Sequence, residues 1–387
     1  MLNLPHVPEV SSAELASALE TGEPIQLVDV RSPQRVQAGR IDLAPEDRFH
    51  NIVGSQLIRH TSLAGTGIDP AVPVAVVCGF GNDSRVLAYH LNRLGCNARS
   101  LTGGMSAWMR MALPRELAPP PSLDHLVQFD RLGKGALGYL LASDGAALII
   151  DPPRDVGDYL IVLEDTGAEL VGVADTHVHA DYISGAAALA RQLGVPYYLH
   201  PADAVYPYDG TPGNIEFEPI GDDHVIELGR CSLRVKHTPG HTEGSVTYLI
   251  DDAVAITGDF LFIASIGRPD LADKTVEWSE QLWRSVESAK QNWPPGMMIH
   301  PAHYASDRER RGDRSIGEPL SKLITENVAL ALVDRASFVD WVATRSGSFP
   351  DDYRKIKAVN VGLLHVDEAQ AEELEIGKNE CALGGAA

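Results

Sequence analysis

At 387 residues the chain is long enough for two domains and a large core. A net charge of −21 argues against an extended nucleic-acid surface, and no run approaches the roughly eighteen apolar residues of a membrane span. Cys78, Cys96, Cys231 and Cys381 are too scattered for a zinc-type pair or a convincing disulfide framework. The amino end lacks a basic patch followed by an apolar core, so a reducing, cytoplasmic setting is expected.

In chain order, Ile25-Gln26-Leu27-Val28-Asp29-Val30 reads as a short apolar strand ending in charge at Arg31. A second strand, Val74-Ala75-Val76-Val77, runs into Cys78 and then Gly79-Phe80-Gly81-Asn82-Asp83-Ser84-Arg85. Val86, Leu87, His90, Leu91 and Leu94 follow at helical spacing. Cys78 therefore belongs to a loop leading into a helix amino end, where amide groups and the helix field favour a thiolate or an anionic sulfur adduct. A buried, inert cysteine is the alternative. The segments around Asp29-Val30-Arg31, His50-Asn51-Ile52-Val53-Gly54-Ser55, Cys78 and Leu101-Thr102-Gly103-Gly104-Met105-Ser106-Ala107-Trp108 resemble a single rhodanese domain. That resemblance implies an α/β fold over residues 1–118, with Cys78 as persulfide carrier in a loop containing Gly79, Gly81, Ser84 and Arg85. The family loop is usually more basic, whereas here only Arg85 is close and Asp83 lies inside it.

Residues 119–124 begin with Pro119-Pro120-Pro121, a stiff, extended run expected to link the domains. Beyond it, residues 137–142 and 146–150 flank Ser143-Asp144-Gly145 as a hairpin. Residues 156–166 and 184–193 read as helices, the second closed by Gly194. Short strands recur at 197–199, 225–228, 233–237, 246–250 and 254–257, and residues 275–290 form the longest helix. The apolar run Leu170-Val171-Gly172-Val173-Ala174 delivers Asp175-Thr176-His177-Val178-His179-Ala180-Asp181-Tyr182 at its end. Polar groups at a strand's carboxyl end are where open α/β folds place ligands, and two imidazoles beside carboxylates suit a metal. His241 in Pro239-Gly240-His241-Thr242, Asp259 after Thr257-Gly258, and His303 in Pro301-Ala302-His303 are further candidates. A site drawn from positions so far apart must be assembled by a whole domain, which argues for catalysis over a local structural clip.

In that order these segments resemble the ligand motifs of the metallo-β-lactamase fold, which implies two sheets covered by helices, an αββα architecture over residues 125–345. Where the family's first motif ends in a second-metal histidine this chain has Tyr182, a poor neutral ligand, so one metal is expected. Gly258-Asp259-Phe260-Leu261-Phe262 and Gly267-Arg268-Pro269-Asp270-Leu271 are most similar to persulfide dioxygenases. That resemblance implies one Fe(2+) on His177, His241 and Asp259, with His179, Asp181 and His303 orienting ligands and water. With Zn(2+) instead, His179 joins His177 and His241. The implied partners are glutathione persulfide, or a related thiol persulfide, and dioxygen. Tyr182 either faces substrate or fills the vacated second site. Arg268 either grips a substrate carboxylate or forms a salt bridge to Asp270 or Asp273. The cluster Arg308-Glu309-Arg310-Arg311-Gly312-Asp313-Arg314 reads as an exposed loop or as an anion or subunit contact.

Residues 316–332 have helical periodicity and residues 338–342 suggest another helix. Residues 346–387 form a C-terminal extension, with a helical cap at 349–360, an end that frays and Cys381 as an incidental thiol. Taken together, these features lead to the expectation of a rhodanese-like domain fused to a non-haem iron persulfide dioxygenase that releases sulfite and free thiol, with sulfur transfer through Cys78. The alternatives are a thioester hydrolase resembling glyoxalase II and a non-enzymatic sulfur carrier or scaffold. Neither a nucleic acid nor a membrane is an expected partner, and homo-oligomerisation is left open.

Overall fold

The computed structural model describes residues 7–270, 274–347 and 349–383. Leu271, Asp273 and the ends at residues 1–6 and 384–387 lie outside them. The chain divides into two compact units, the first comprising Met1–Leu113, Arg131–Lys134 and Ile376–Lys378 and the second the remainder. Among the described residues no helix is long and apolar enough to cross a membrane.

The first unit is built on five strands: β1 (Glu9–Val10), β2 (Gln26–Asp29), β3 (Phe49–Asn51), β4 (Val74–Val77) and β5 (Ala98–Leu101). They pair in parallel in the order β1-β5-β4-β2-β3. All residues of β2 and β4 are buried, as expected of a parallel sheet covered on both faces. Leu27, Ala75 and Val77 pack on one side with Leu15 and Trp108, while Val28, Val74 and Val76 pack on the other with Leu87 and Leu91. These partners come from α1 (Ser12–Glu20), α4 (Asn82–Arg93) and α5 (Gly104–Arg110), the shorter α2 (Pro33–Ala38) and α3 (Gly54–Leu57) completing the set.

The second unit has two sheets. One contains β6 (Leu113–Glu116), β7 (His125–Arg131), β8 (Ala136–Ser143), β9 (Ala146–Ile150), β10 (Glu169–Ala174), β11 (Tyr197–Leu199) and β12 (Glu218–Pro219), ordered β12-β11-β10-β9-β8-β7-β6. The other contains β13 (Val225–Leu228), β14 (Cys231–His237), β15 (Val246–Ile250), β16 (Val254–Gly258), β17 (Met298–Pro301) and β18 (Glu318–Pro319), in sequence order. Tyr139, Leu141, Leu148 and Ile150 of the first sheet meet Leu233, Val235, Val246 and Tyr248 of the second in one core. The expected hairpin joins β8 to β9, with Asp144 and Gly145 both left-handed, the backbone of a tight two-residue turn. Leu117 and Leu123, flanking or within the proline-rich stretch, are buried in this same core.

Helices α6 (Gly157–Thr166) and α7 (Ala186–Leu193) belong to the first sheet's half. Leu282 and Val286 of α8 (Thr275–Asn292), Leu320 and Leu323 of α9 (Leu320–Glu326), and Phe338 and Val342 of α10 (Arg335–Ala343) cover Leu249 and Ala255 of the second. The helix expected over 316–332 is only α9. Pro319 sets its start, and the buried Asn327 ends it by donating to the carbonyls of Phe262, Ile263 and Ser265. The basic cluster is not simply an exposed loop, because Arg310 is buried and its guanidinium reaches Asp130 at 2.6 Å. The described residues between 346 and 375 group with the second unit. Within them α11 (Asp352–Asn360) and α12 (Glu368–Leu374) pack into the second unit.

Candidate metal centre

Four strands of the second unit deliver the expected ligands just beyond their carboxyl ends. His177 follows β10, His241 follows β14, Asp259 follows β16 and His303 follows β17. His177, His241 and Asp259 form a buried group whose ligand atoms all lie within 4.8 Å of one another. Asp259 Oδ2 is 3.6 Å from His177 Nε2 and 3.4 Å from His241 Nε2. None of these three atoms has a hydrogen-bond partner, although all are buried. Buried polar atoms are almost always satisfied, so three unsatisfied ones facing one another fit a cation-binding site.

The opposite edge of each ligand is engaged. Thr176 donates its hydroxyl to Asp151 Oδ2 at 2.8 Å and accepts from His177 Nδ1 at 3.0 Å. His241 Nδ1 donates to the Arg268 carbonyl at 3.0 Å. These contacts fix the tautomers that leave both Nε2 lone pairs for a metal. A Cβ on Gly267 would come 1.9 Å from Asp259 O and 2.9 Å from His241 Nδ1, so only glycine fits beside both ligands. Burial lowers the pKa of His177 well below its usual value and brings His241 to about 4, keeping both rings neutral. Burial opposes ionisation of Asp259, but adjacent His303 outweighs it and the carboxyl pKa falls. Two neutral imidazoles and a carboxylate are the protonation states that metal binding requires.

His303 is not part of this triad. It donates from Nδ1 to Asp259 Oδ1 at 2.6 Å and from Nε2 to Asp181 Oδ2 at 3.0 Å. Burial works against its charge, yet the two carboxylates raise its pKa to about 10. Asp181, His303 and Cys381 form a second buried group, which removes Cys381 from the status of an incidental thiol. His179 belongs to a third, with Asp151 and Asp175. Its Nε2 lies 3.2 Å from Asp151 Oδ1 and 2.9 Å from the Tyr182 hydroxyl, while its Nδ1 has no hydrogen-bond partner. The Tyr182 ring is 1% exposed and stacks on His179 in the interior. Arg268 is likewise committed. Its fork holds Asp270 at 2.7 and 2.8 Å, one of the two expected arrangements, and Nη1 and Nη2 also reach the Glu380 and Gly347 carbonyls.

Several residues that hold the centre carry no signal in spacing. The ligand loop between β10 and α7 has no regular structure, so its backbone groups need other partners. Asp203 accepts from Val178 N, Lys357 Nζ donates to Val178 O, and Asn360 Nδ2 donates to the carbonyls of His179 and Tyr182. Ile183 N donates to Glu375. Asp151, which follows β9 and was not singled out from the sequence, adopts a left-handed φ of 53°, a strained setting that recurs at functional sites.

In the first unit Cys78 directly follows β4 and is 3% exposed. Its sulfur accepts from Gly81 N at 3.1 Å and its thiol donates to Ser84 Oγ at 3.2 Å. Ser84 in turn shares a hydrogen bond with Ser100. Gly79 O accepts from Ser106 N, tying the loop to the helix after Gly103-Gly104. Arg85 is half exposed and engaged by Glu9 at 3.1 Å.

Residues 133–308 match the metallo-beta-lactamase superfamily and residues 11–111 the rhodanese-like domain. A Bacillus subtilis protein named "Probable metallo-hydrolase" is 34% identical over 149 residues, 35% of this chain and 71% of that protein. Human mitochondrial persulfide dioxygenase is 31% identical over 163 residues, 41% of this chain and 58% of the human protein. The solved metallo-beta-lactamase of Staphylococcus aureus superposes with a TM-score of 0.52 at 26% identity, covering 67% of this chain and 74% of that one. The chain belongs to the metallo-β-lactamase superfamily. Its particular form is a rhodanese-like domain followed by the metallo-β-lactamase fold.

Proposed function

We propose that the protein is an iron-dependent persulfide dioxygenase that converts a low-molecular-weight persulfide, glutathione persulfide in the first instance, with dioxygen and water to sulfite and free thiol. The observation that carries this reading is the convergence of three unpartnered buried atoms, two imidazole nitrogens and one carboxylate oxygen. A two-histidine, one-carboxylate face suits non-haem iron(II), and iron held there would supply open positions and the electron transfer that side chains lack. Thr176 and the Arg268 carbonyl aim the two rings, and His303 holds Asp259 Oδ1 so that Oδ2 faces the triad. Tyr182, a buried neutral phenol in place of a second-metal ligand, supports one metal per chain. The persulfide dioxygenase among the relatives supports the same reaction class. Cys78 would carry sulfane sulfur in the first unit, as donor or acceptor to the same thiol pool.

One observation favours a second reading. The buried Nδ1 of His179 has no partner, and a zinc ion bound by His177, His179 and His241 would make the site a thioester hydrolase. Oxygen uptake and sulfite release on adding glutathione persulfide decide between them. Uptake matched by about one sulfite per dioxygen supports the dioxygenase, whereas hydrolysis of an acylglutathione without uptake rejects it.

A further inference from the structure

The side chains of the triad are closed off from solvent, His177 and Asp259 at 1% exposure and His241 at 0%. A cavity of about 300 Å³ lies beside their loops, lined by Val178 and Thr242, the residues directly after His177 and His241. Residues 205–210 all line the same cavity and form one of its walls. They belong to a small hairpin closed on itself. Val205 bridges to Pro212, Tyr206 N donates to Thr211 O at 2.8 Å, and Gly210 N donates to Tyr206 O at 2.9 Å, with Gly210 at a left-handed φ of 79°. Pro207 and Pro212 stiffen it further. The root of the hairpin is fixed on both sides. Asp203 accepts from Val178 N, Thr242 Oγ1 and Gly244 N, while Gly213 N donates to Ala204 O and Asn214 N to Val361 O. The tip is held differently. Asp209, Gly210 and Thr211 are exposed, and behind them the Arg354 guanidinium of α11 lies over the Tyr208 ring at 3.9 Å, with Tyr206 packed on Tyr208 at 5.1 Å. A cation over an aromatic face biases an equilibrium by only roughly two- to thirtyfold. Giving up the hydrogen bonds to a buried carboxylate at the root costs more. A stiff element with a clamped root and a weakly latched tip is built to swing about its ends.

We infer that residues 205–212 are a flap that closes the cavity beside the ligand loops and that Arg354 is the latch holding it shut. Helix α11 serves both parts: Arg354 reaches the flap, while Lys357 Nζ and Asn360 Nδ2 hold the carbonyls of Val178 and His179. Opening the flap therefore uncovers the cavity without releasing the ligand loop. Arg354 is a positioning residue and takes no part in bond making. The inference concerns access to the centre and holds whichever reaction the centre performs.

The test is thiol labelling inside the cavity of the full-length protein. The four native cysteines are buried, so a Val178→Cys protein reports the cavity through maleimide labelling of the added thiol, located by peptide mass. Adding Arg354→Met should speed that labelling by roughly two- to thirtyfold, the range of the lost contact. Tyr208→Leu should do the same, whereas Tyr208→Phe keeps the aromatic face and should label at the starting rate. A rate left unchanged by Arg354→Met and Tyr208→Leu overturns the inference, as does equal acceleration by Tyr208→Phe. Should Val178→Cys fail to fold, acrylamide quenching of tryptophan fluorescence decides, because Trp278 lines the cavity and is 1% exposed. Arg354→Met should raise the quenching, and Trp278→Phe in the same protein should remove the rise. No rise, or a rise that survives Trp278→Phe, overturns the flap.

Discussion

Thr176 sets the orientation of His177 through one hydroxyl, donating to Asp151 and accepting from the ring. Outer partners of this kind are worth about ten- to hundredfold in metal affinity. Thr176→Val keeps the shape and removes the hydroxyl, so chelator competition should show a loss of that order, and an unchanged affinity would mean that packing alone orients the ring. A second residue governs stability against pH. His300 donates from Nδ1 to Ile316 O at 2.9 Å, and burial lowers its pKa to about 4 from a usual 6.5. It is neutral when folded, while the unfolded chain gains a proton below pH 6.5. Its contribution is therefore complete above 6.5 and is lost as pH falls through 4, by roughly 3 kcal/mol. Urea unfolding should show a shallower decline between these limits for His300→Gln than for the wild type; parallel declines would assign the titration elsewhere. The triad was legible at this scale because its members sit in Gly- and Asp-rich segments at strand ends. Lys357 and Asn360 were not, since one lysine or asparagine on an amphipathic helix looks like any solvated position.

At the scale of elements, strand ends create the centre and the carboxyl-terminal helices hold it. Asn360, the last residue of α11, makes three hydrogen bonds to the ligand loop: to His179 O, to Tyr182 O and from Ser184 N. Removing them leaves part-buried backbone groups without partners, at roughly 1–3 kcal/mol each for those that water does not reach. Asn360→Ala should thus lower stability by about 2–4 kcal/mol and speed metal loss to a chelator, both measured on the full chain. Normal stability would show that the loop holds its shape unaided. Apart from β12, the strands from β8 to β16 were readable from apolar runs and turn chemistry. The helix across 316–332 was misread because its periodicity is real, yet Asn327 finds better partners in the carbonyls of residues 262–265 than in continuing the turn. Apolar spacing reports which residues are buried, whereas a long-range side-chain bond that ends a helix leaves no trace in it.

For the whole molecule, the two sulfur chemistries we propose are assigned to separate units. Cys78 lies in the first, buried against Gly81 and Ser84, and the triad lies in the second. Cys78→Ser should therefore abolish sulfur transfer to a thiol acceptor while leaving oxygen uptake with glutathione persulfide within about twofold, the uncertainty normal for sites that share no partners. A collapse of uptake in this variant would make Cys78 part of the oxidation itself. The division into a rhodanese-like and a metallo-β-lactamase part was readable from motifs. The role of residues 346–387 was not, because chain order hides that α11 and Cys381 fold back onto the ligand loop and the group around His303. The single-metal triad is the claim on which the rest depends, and elemental analysis of anaerobically purified wild type and His177→Ala tests it most directly. About one iron per wild-type chain and almost none in the variant is the expected result; two zinc ions per chain, or iron retained without His177, would contradict it.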